Sequence, residues 1–118
     1  MRVLVWTGVA LLGAVGALLR FAVDGFVAER AGGEFPWGTF VVNISGAFVL
    51  GLVVGAALHG DALLLAGTAV LGSYTTFSTW VFETHRLAEE GDLALAVANI
   101  AVSLIVGVGA AELGRLIA

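Results

Sequence analysis

The chain has 118 residues, of which 60% are hydrophobic and 12% are charged, and its formal net charge is −4. Soluble domains average about 25% charged residues, and a chain this short cannot hide so much apolar surface in a core, so the composition indicates an integral membrane protein. Because the sequence lacks cysteine, disulfides and thiolate metal sites are excluded. The lack of a basic run argues against a nucleic-acid partner.

Four uncharged stretches, at residues 3–19, 36–60, 62–82 and 93–111, approach the roughly 20 apolar residues that a membrane-spanning helix needs. Backbone groups in lipid must be hydrogen-bonded within the chain, so each stretch is predicted to be helical. Since three more stretches follow the first, we interpret the first as a retained helix and not as a signal peptide. The prediction is a single all-α transmembrane domain, residues 1–118, with four spans at about residues 3–30, 36–59, 62–90 and 93–116.

The first two uncharged stretches carry few polar groups. Arg20 follows the apolar stretch of the first span, at the expected membrane edge. In the second span Thr39 and Asn43 are four residues apart and therefore share a helix face. Further along, Gly51 and Gly55 have the small-xxx-small spacing that is typical of close packing between membrane helices.

Within the third span, residues 72–80 read GSYTTFSTW and collect hydroxyl groups and aromatic rings without any charge. Hydroxyl groups commonly bond between membrane helices for about 0.6 kcal/mol each, which accounts for a single one but not for the cluster here. Phe77 and Trp80 are three residues apart, so their rings share a helix face. In the fourth span Asn99 and Ser103 repeat the four-residue spacing of the second.

These uncharged donors limit the classes of function. A proton-coupled exporter needs a titratable group deep in the membrane, and the four apolar stretches contain no Asp, Glu, Lys or Arg. No catalytic motif is present, so an enzyme is not expected. Positive ring edges with amide and hydroxyl donors suit a pore for a small anion, which must bind weakly enough to leave. Hydroxyl and backbone oxygens also accept cations, so a cation pathway stays open.

The arginines give almost no orientation signal. With four spans, Arg2 and Arg115 lie on one side of the membrane, while Arg20, Arg30 and Arg86 lie on the other. Arginine bias normally sets orientation, and two against three is nearly balanced. Both a fixed orientation and dual insertion fit this count. Dual insertion would let an upward and a downward copy pair about a two-fold axis in the membrane plane.

Three motifs resemble those of the Fluc/CrcB fluoride channel family. They are GALLRF at residues 16–21, GTFVVNISG at residues 38–46 and TTFST at residues 75–79. The resemblance runs over about residues 13–84 with the family's order and spacing. It implies a passive, fluoride-selective channel in the cell's inner (plasma) membrane that lets fluoride out. It also implies an antiparallel, dual-topology homodimer with two pores, a third helix broken mid-membrane, and one buried structural Na⁺.

The resemblance also implies roles for particular residues. Residues 72–75 would unwind, and the backbone carbonyls of Gly72 and Thr75 from both subunits would hold the Na⁺. The motif positions place Arg20 near the pore mouth and Asn43, Phe77, Ser78 and Thr79 along the fluoride path, and polar spacing adds Thr39 and Ser103. The candidate pore residues are therefore Arg20, Thr39, Asn43, Phe77, Ser78, Thr79, Trp80 and Ser103.

Trp80 departs from the family pattern, which has phenylalanine at this position. Either the indole serves as a variant ring edge, or this half of the pore is impaired. The expected partners are fluoride, Na⁺, membrane lipid and a second copy of the chain, or a paired chain in a heterodimer. Two alternatives to the fluoride channel remain. One is a small dual-topology drug or cation exporter, and the other is the silent subunit of a heterodimeric fluoride channel.

Overall fold

The computed structural model describes residues 2–118, and every regular element in this range is helical. The prediction of an all-α chain is therefore confirmed. A π-helical stretch at Leu64–Leu71 lies between α3 and α4. The α-helices are α1 (Arg2–Ala31), α2 (Trp37–Gly55), α3 (Gly60–Leu63), α4 (Gly72–Tyr74), α5 (Ser78–Glu89) and α6 (Leu93–Ile117).

Within the described residues, three helices are long and apolar enough to cross a membrane, namely α1, α2 and α6. The predicted third span is divided in two. Because α3, the π-helical stretch and α4 follow one another without a gap, residues 60–74 form one half, called here half-helix 3A, and α5 forms the other. The predicted boundaries of the other spans differ by a few residues, most at α2, which ends at Gly55 and not at residue 59.

Helices α2 and α6 pack against each other at backbone contact. A methyl group added at Gly51 would strike the carbonyl oxygen of Ala111, and one added at Gly114 would strike that of Phe48. Gly55 meets the α6 backbone one turn further along. The spacing of Gly51 and Gly55 therefore marks a close helix contact, as predicted.

Helix α1 approaches half-helix 3A in the same way. Gly16 is the buried residue of α1, and a methyl group there would strike the carbonyl oxygen of Val70. The remaining surface of α1 is largely exposed in the single chain. Half-helix 3A is thus held between α1 on one side and α2 on the other.

Half-helix 3A ends where the chain becomes extended at Thr75, which has φ −76° and ψ 160°. The N–H of Thr75 still donates to the carbonyl of Leu71 at 3.0 Å. Helical geometry resumes at Ser78, so residues 75–77 form a short non-helical link between half-helix 3A and α5.

The expectation that residues 72–75 unwind is wrong for residues 72–74, which are helical, and only Thr75 is extended. Gly72 has helical angles of φ −62° and ψ −32°, and its N–H donates to the carbonyl of Gly67 in the wider π-helical register. Glycine permits unwinding but does not enforce it. Here the π-helical stretch carries the helix through to Tyr74.

Candidate functional site

The link at residues 75–77 is paired to α2 through Asn43. The Asn43 side-chain amide donates from Nδ2 to the carbonyl of Thr76 at 2.8 Å. Its Oδ1 accepts from the N–H of Thr76 at 2.8 Å. An interrupted helix leaves backbone donors and acceptors unpaired, and these two bonds supply Thr76 with both partners.

A second contact between α2 and the link depends on the absence of a side chain at Gly46. A methyl group there would collide with Cγ2 of Thr75 and press against the ring of Tyr74. The hydroxyls of Ser45 and Tyr74 lie 2.8 Å apart, within hydrogen-bond distance. The Thr75 hydroxyl itself donates back to the carbonyl of Leu71 at 3.0 Å. Helix α2 therefore holds both the end of half-helix 3A and the link.

Two carbonyls at this break lack a hydrogen-bond donor from the described part of the chain. Over residues 2–118, no backbone or side-chain donor reaches the carbonyl oxygen of Gly72 or that of Thr75. The carbonyls of the last turn of a helix lack intrahelical partners. These oxygens are the two that the resemblance assigns to a cation.

The aromatic pair spans the end of the link and the start of α5, since Phe77 is the last residue of the link and Trp80 lies in the first turn of α5. The ring centroids of Phe77 and Trp80 are 5.6 Å apart with an interplanar angle of 60°, so the two rings share a face as predicted. Phe77 is 74% exposed in the single chain. Both rings line a partly open cleft of about 360 Å³, together with Asn43, Gly72 and Thr75. Every side chain that lines this cleft is uncharged.

Trp80 is tied to α6 by a network that contains Asn99. The indole N–H of Trp80 donates to the backbone carbonyl of Asn99 at 3.3 Å. The amide of Asn99 donates to Oγ1 of Thr84 at 2.8 Å, and the Thr84 hydroxyl donates to the carbonyl of Trp80 at 2.8 Å. The hydroxyl of Ser103 donates to Oδ1 of Asn99 at 3.5 Å. Asn99 is fully buried in this network.

The other candidate pore residues lie away from the cleft. Ser78 and Thr79 begin α5, and the N–H of Thr79 donates to Oγ1 of Thr76 at 3.2 Å. Ser103 belongs to the Asn99 network. Arg20 lies in α1, and its Nε is buried without a hydrogen-bond partner within residues 2–118.

Thr39 contacts Glu83, which lines a separate polar pocket next to the connection between α1 and α2. It is 2% exposed and its hydroxyl donates to Glu83. Glu83 and Arg86 of α5 line this pocket of about 170 Å³ together with Asp24 of α1. The α2 face that carries Thr39 and Asn43 therefore contacts the third span at two points. Thr39 bonds Glu83 in α5, and Asn43 bonds Thr76 in the link.

Sequence reasoning missed Gly46, Thr84 and Glu83 as parts of these arrangements. Thr84 stands four residues after Trp80, a spacing that places both on one helix face, so a search for polar neighbours of the ring could have found it. Gly46 stood in a motif, but its contact with Thr75 requires the packing of α2 on the link.

The long apolar helices, the divided third span and the uncharged cleft define a multi-pass helical membrane protein. The chain belongs to the CrcB family. The family model described as CrcB-like protein, Camphor Resistance (CrcB), matches residues 7–115, which confirms the resemblance seen in the three motifs.

Several curated relatives carry the name of a fluoride channel. The chain is 59% identical over 116 residues to Fluoride-specific ion channel FluC 2 of Mycolicibacterium paratuberculosis, covering 98% of this chain and 95% of the relative. It is 52% identical over 118 residues to the protein of the same name from Mycobacterium tuberculosis H37Rv, covering 100% and 94%. It is 43% identical over 122 residues to Fluoride-specific ion channel FluC 1 of Frankia casuarinae, covering 96% and 95%.

Proposed function

We propose that this chain is a passive fluoride channel that lets F⁻ leave the cell across the inner (plasma) membrane. The relatives named as fluoride-specific ion channels support this; they are channels and not enzymes, in agreement with the expectation from the sequence. The observation that carries the proposal is the cleft at the helix break, where Asn43, Phe77 and Trp80 meet without a charged neighbour.

The chemistry of the cleft suits a small, strongly hydrated anion. The positive edges of Phe77 and Trp80 are attracted to an anion. The Asn43 amide has two N–H donors, of which one bonds Thr76 and the other has no acceptor within residues 2–118. A fixed positive charge in the path would hold the ion too tightly for conduction, since conduction requires binding weak enough for release. Uncharged donors avoid this, and they also argue against the drug exporter, which needs an ionisable group at depth.

The functional unit in this proposal is an antiparallel homodimer with two pores, in which the break of the third helix lies near the middle of the membrane. Support comes from the cleft, which is partly open, and from Phe77, which lines it and is 74% exposed in the single chain. A ring at a pore must be shielded from lipid, and a second copy of the chain would provide this shielding. The nearly balanced arginines are compatible with copies of opposite orientation.

A structural Na⁺ at the dimer axis completes the proposal. The carbonyls of Gly72 and Thr75 fit such an ion because they are oxygen ligands without hydrogen-bond donors over residues 2–118. Oxygen ligands suit hard cations. Four neutral carbonyls, two from each copy, would coordinate the Na⁺ without adding a negative charge. The ion would hold the two helix breaks together.

Reconstitution of this chain alone into liposomes tests the function. The liposomes are loaded with potassium fluoride. A potassium ionophore lets K⁺ leave together with F⁻, so that no opposing membrane potential builds up, and a fluoride electrode records efflux. We expect fast fluoride efflux without a pH gradient. We expect no chloride efflux from matched liposomes loaded with chloride. Efflux that requires a proton gradient would indicate an exporter. Silence of a folded, reconstituted chain would indicate the silent subunit of a heterodimer.

A further inference from the structure

The indole N–H of Trp80 is directed away from the cleft. Although the ring lines the cleft with Phe77, the N–H donates to the carbonyl of Asn99 in α6 at 3.3 Å. An indole has one donor and no acceptor. The bond to Asn99 therefore leaves only the C–H edges and faces of the Trp80 ring for the cleft.

Trp80 and Asn99 are joined by a closed circuit of hydrogen bonds. The indole of Trp80 donates to the Asn99 backbone, the Asn99 amide donates to Thr84, and the Thr84 hydroxyl donates to the Trp80 carbonyl. The direction of each bond is fixed, since Nδ2 and the indole only donate and the two carbonyls only accept. Asn99 is fully buried, so its amide has no water to replace Thr84.

From these contacts we infer that Asn99 and Thr84 are positioning residues that hold the Trp80 indole, so that Trp80 enters the cleft as an aromatic C–H edge and not as an N–H donor. The inference rests on the proposed function, because it assigns a role in the proposed fluoride path. It also gives a physical account of the tryptophan at a position where the family pattern has phenylalanine.

An indole requires such an anchor where a phenyl ring does not. A phenyl ring is unchanged by a half turn about its Cβ–Cγ bond, so phenylalanine presents the same edge in both orientations. The two-ring indole is asymmetric and occupies a larger volume when it rotates. A loose indole beside Phe77, only 5.6 Å away, would swing across the cleft. The anchoring bonds to α6 keep the larger ring to one side.

The test compares Thr84→Val with a matched control, Thr7→Val. Both threonines donate to the carbonyl four residues earlier in their own helix, Thr84 to Trp80 at 2.8 Å and Thr7 to Val3 at 2.7 Å. Thr84 additionally accepts from Asn99, whereas Thr7 is exposed.

We expect Thr84→Val to lower fluoride efflux about threefold, which matches roughly 0.6 kcal/mol for one bond between membrane helices. We expect no change for Thr7→Val and recovery in Thr84→Ser, which keeps the hydroxyl.

A double-mutant cycle separates positioning from general packing. In the Trp80→Phe background the bond from the indole to Asn99 is absent, so Thr84→Val is expected to change efflux by less than about 1.5-fold if it acts through Trp80. An equal loss of efflux in both backgrounds would overturn the inference, as would unchanged efflux in Thr84→Val.

A fluorescence measurement is independent of transport. In a Trp6→Phe, Trp37→Phe background, Trp80 is the only tryptophan of the chain. We expect Thr84→Val and Asn99→Leu to lower the emission anisotropy of Trp80 in liposomes, and Thr7→Val to leave it unchanged. If the parent conducts no fluoride but the anisotropy falls as expected, the proposed function fails and the anchoring of Trp80 stands. Unchanged anisotropy in both variants would refute the anchoring itself.

Discussion

The side-chain amide of Asn43 and the peptide group of Thr76 pair through two hydrogen bonds of 2.8 Å each, one in either direction. The pairing replaces the helical bonds that the break removes from Thr76. It also orients the amide beside the cleft that Phe77 lines. Asn43 therefore fixes the broken backbone and, in the proposed channel, offers its second N–H to the anion.

Asn43→Ala is expected to reduce fluoride efflux at least about tenfold, which requires only roughly 1.4 kcal/mol of extra barrier. The change removes a donor from the proposed anion path, where little water would replace it, and it leaves both polar groups of Thr76 unpaired. Ser45→Ala is the matched control, since Ser45 also bonds from α2 to half-helix 3A, at Tyr74. A smaller loss is expected there. Full efflux in Asn43→Ala, at equal protein density, would place the anion path elsewhere.

Gly46→Ala is expected to destabilise the protein by about 1–3 kcal/mol, the usual cost of overpacking. The added methyl group collides with Thr75 and presses on Tyr74. Gly109→Ala in α6 is the control, because a methyl group there meets no atom within 4 Å and alanine favours a helix by about 1 kcal/mol. Thermal unfolding in detergent measures both. Equal midpoints for the two variants would show that α2 does not clamp the link.

The sequence was sufficient for features that depend on local spacing. The face shared by Phe77 and Trp80 and the close packing at Gly51 follow from helical periodicity alone. The position of the break did not follow. Glycine at residue 72 favours unwinding there, yet the helix continues to Tyr74. The break lies instead where Asn43 supplies substitute hydrogen bonds, and that contact exists only once α2 packs on the third helix.

Phe77→Ile is expected to lower fluoride efflux at least about tenfold, because isoleucine has no positive ring edge to attract an anion. Trp80→Phe is expected to retain or raise efflux, since it restores the ring of the family pattern and removes the larger indole. Neither change buries a charge, so both variants should fold, and size-exclusion chromatography checks this. Fluoride-electrode recordings that rank Phe77→Ile with the parent would exclude the ring from the path.

Reporter tags at the C-terminus are expected on both sides of the membrane. Arg2 and Arg115 oppose three other arginines, and so small a bias does not select one orientation. Adding two lysines at the C-terminus serves as a control, because it should shift the population toward one side and reduce efflux if the pore needs opposed copies. A uniform orientation of the unmodified chain would exclude an antiparallel homodimer and favour a paired chain.

Replacing Na⁺ by a large organic cation during purification and reconstitution is expected to weaken the dimer or abolish fluoride efflux. The carbonyls of Gly72 and Thr75 lack donors within residues 2–118. Gly72 is exposed and Thr75 is half-buried in the single chain, so an interface with a second copy would bury these carbonyls, and an unsatisfied buried polar group costs about 1–3 kcal/mol. In an antiparallel dimer the carbonyls of two copies would face one another, and a small cation between them would remove this cost and their mutual repulsion. Because an ion that binds only the assembled state stabilises that state further as its concentration rises, the dimer fraction should rise when Na⁺ is titrated back. Cross-linking and efflux are measured on the same samples. A dimer fraction and an efflux rate that are both independent of Na⁺ would show that these carbonyls are satisfied in another way.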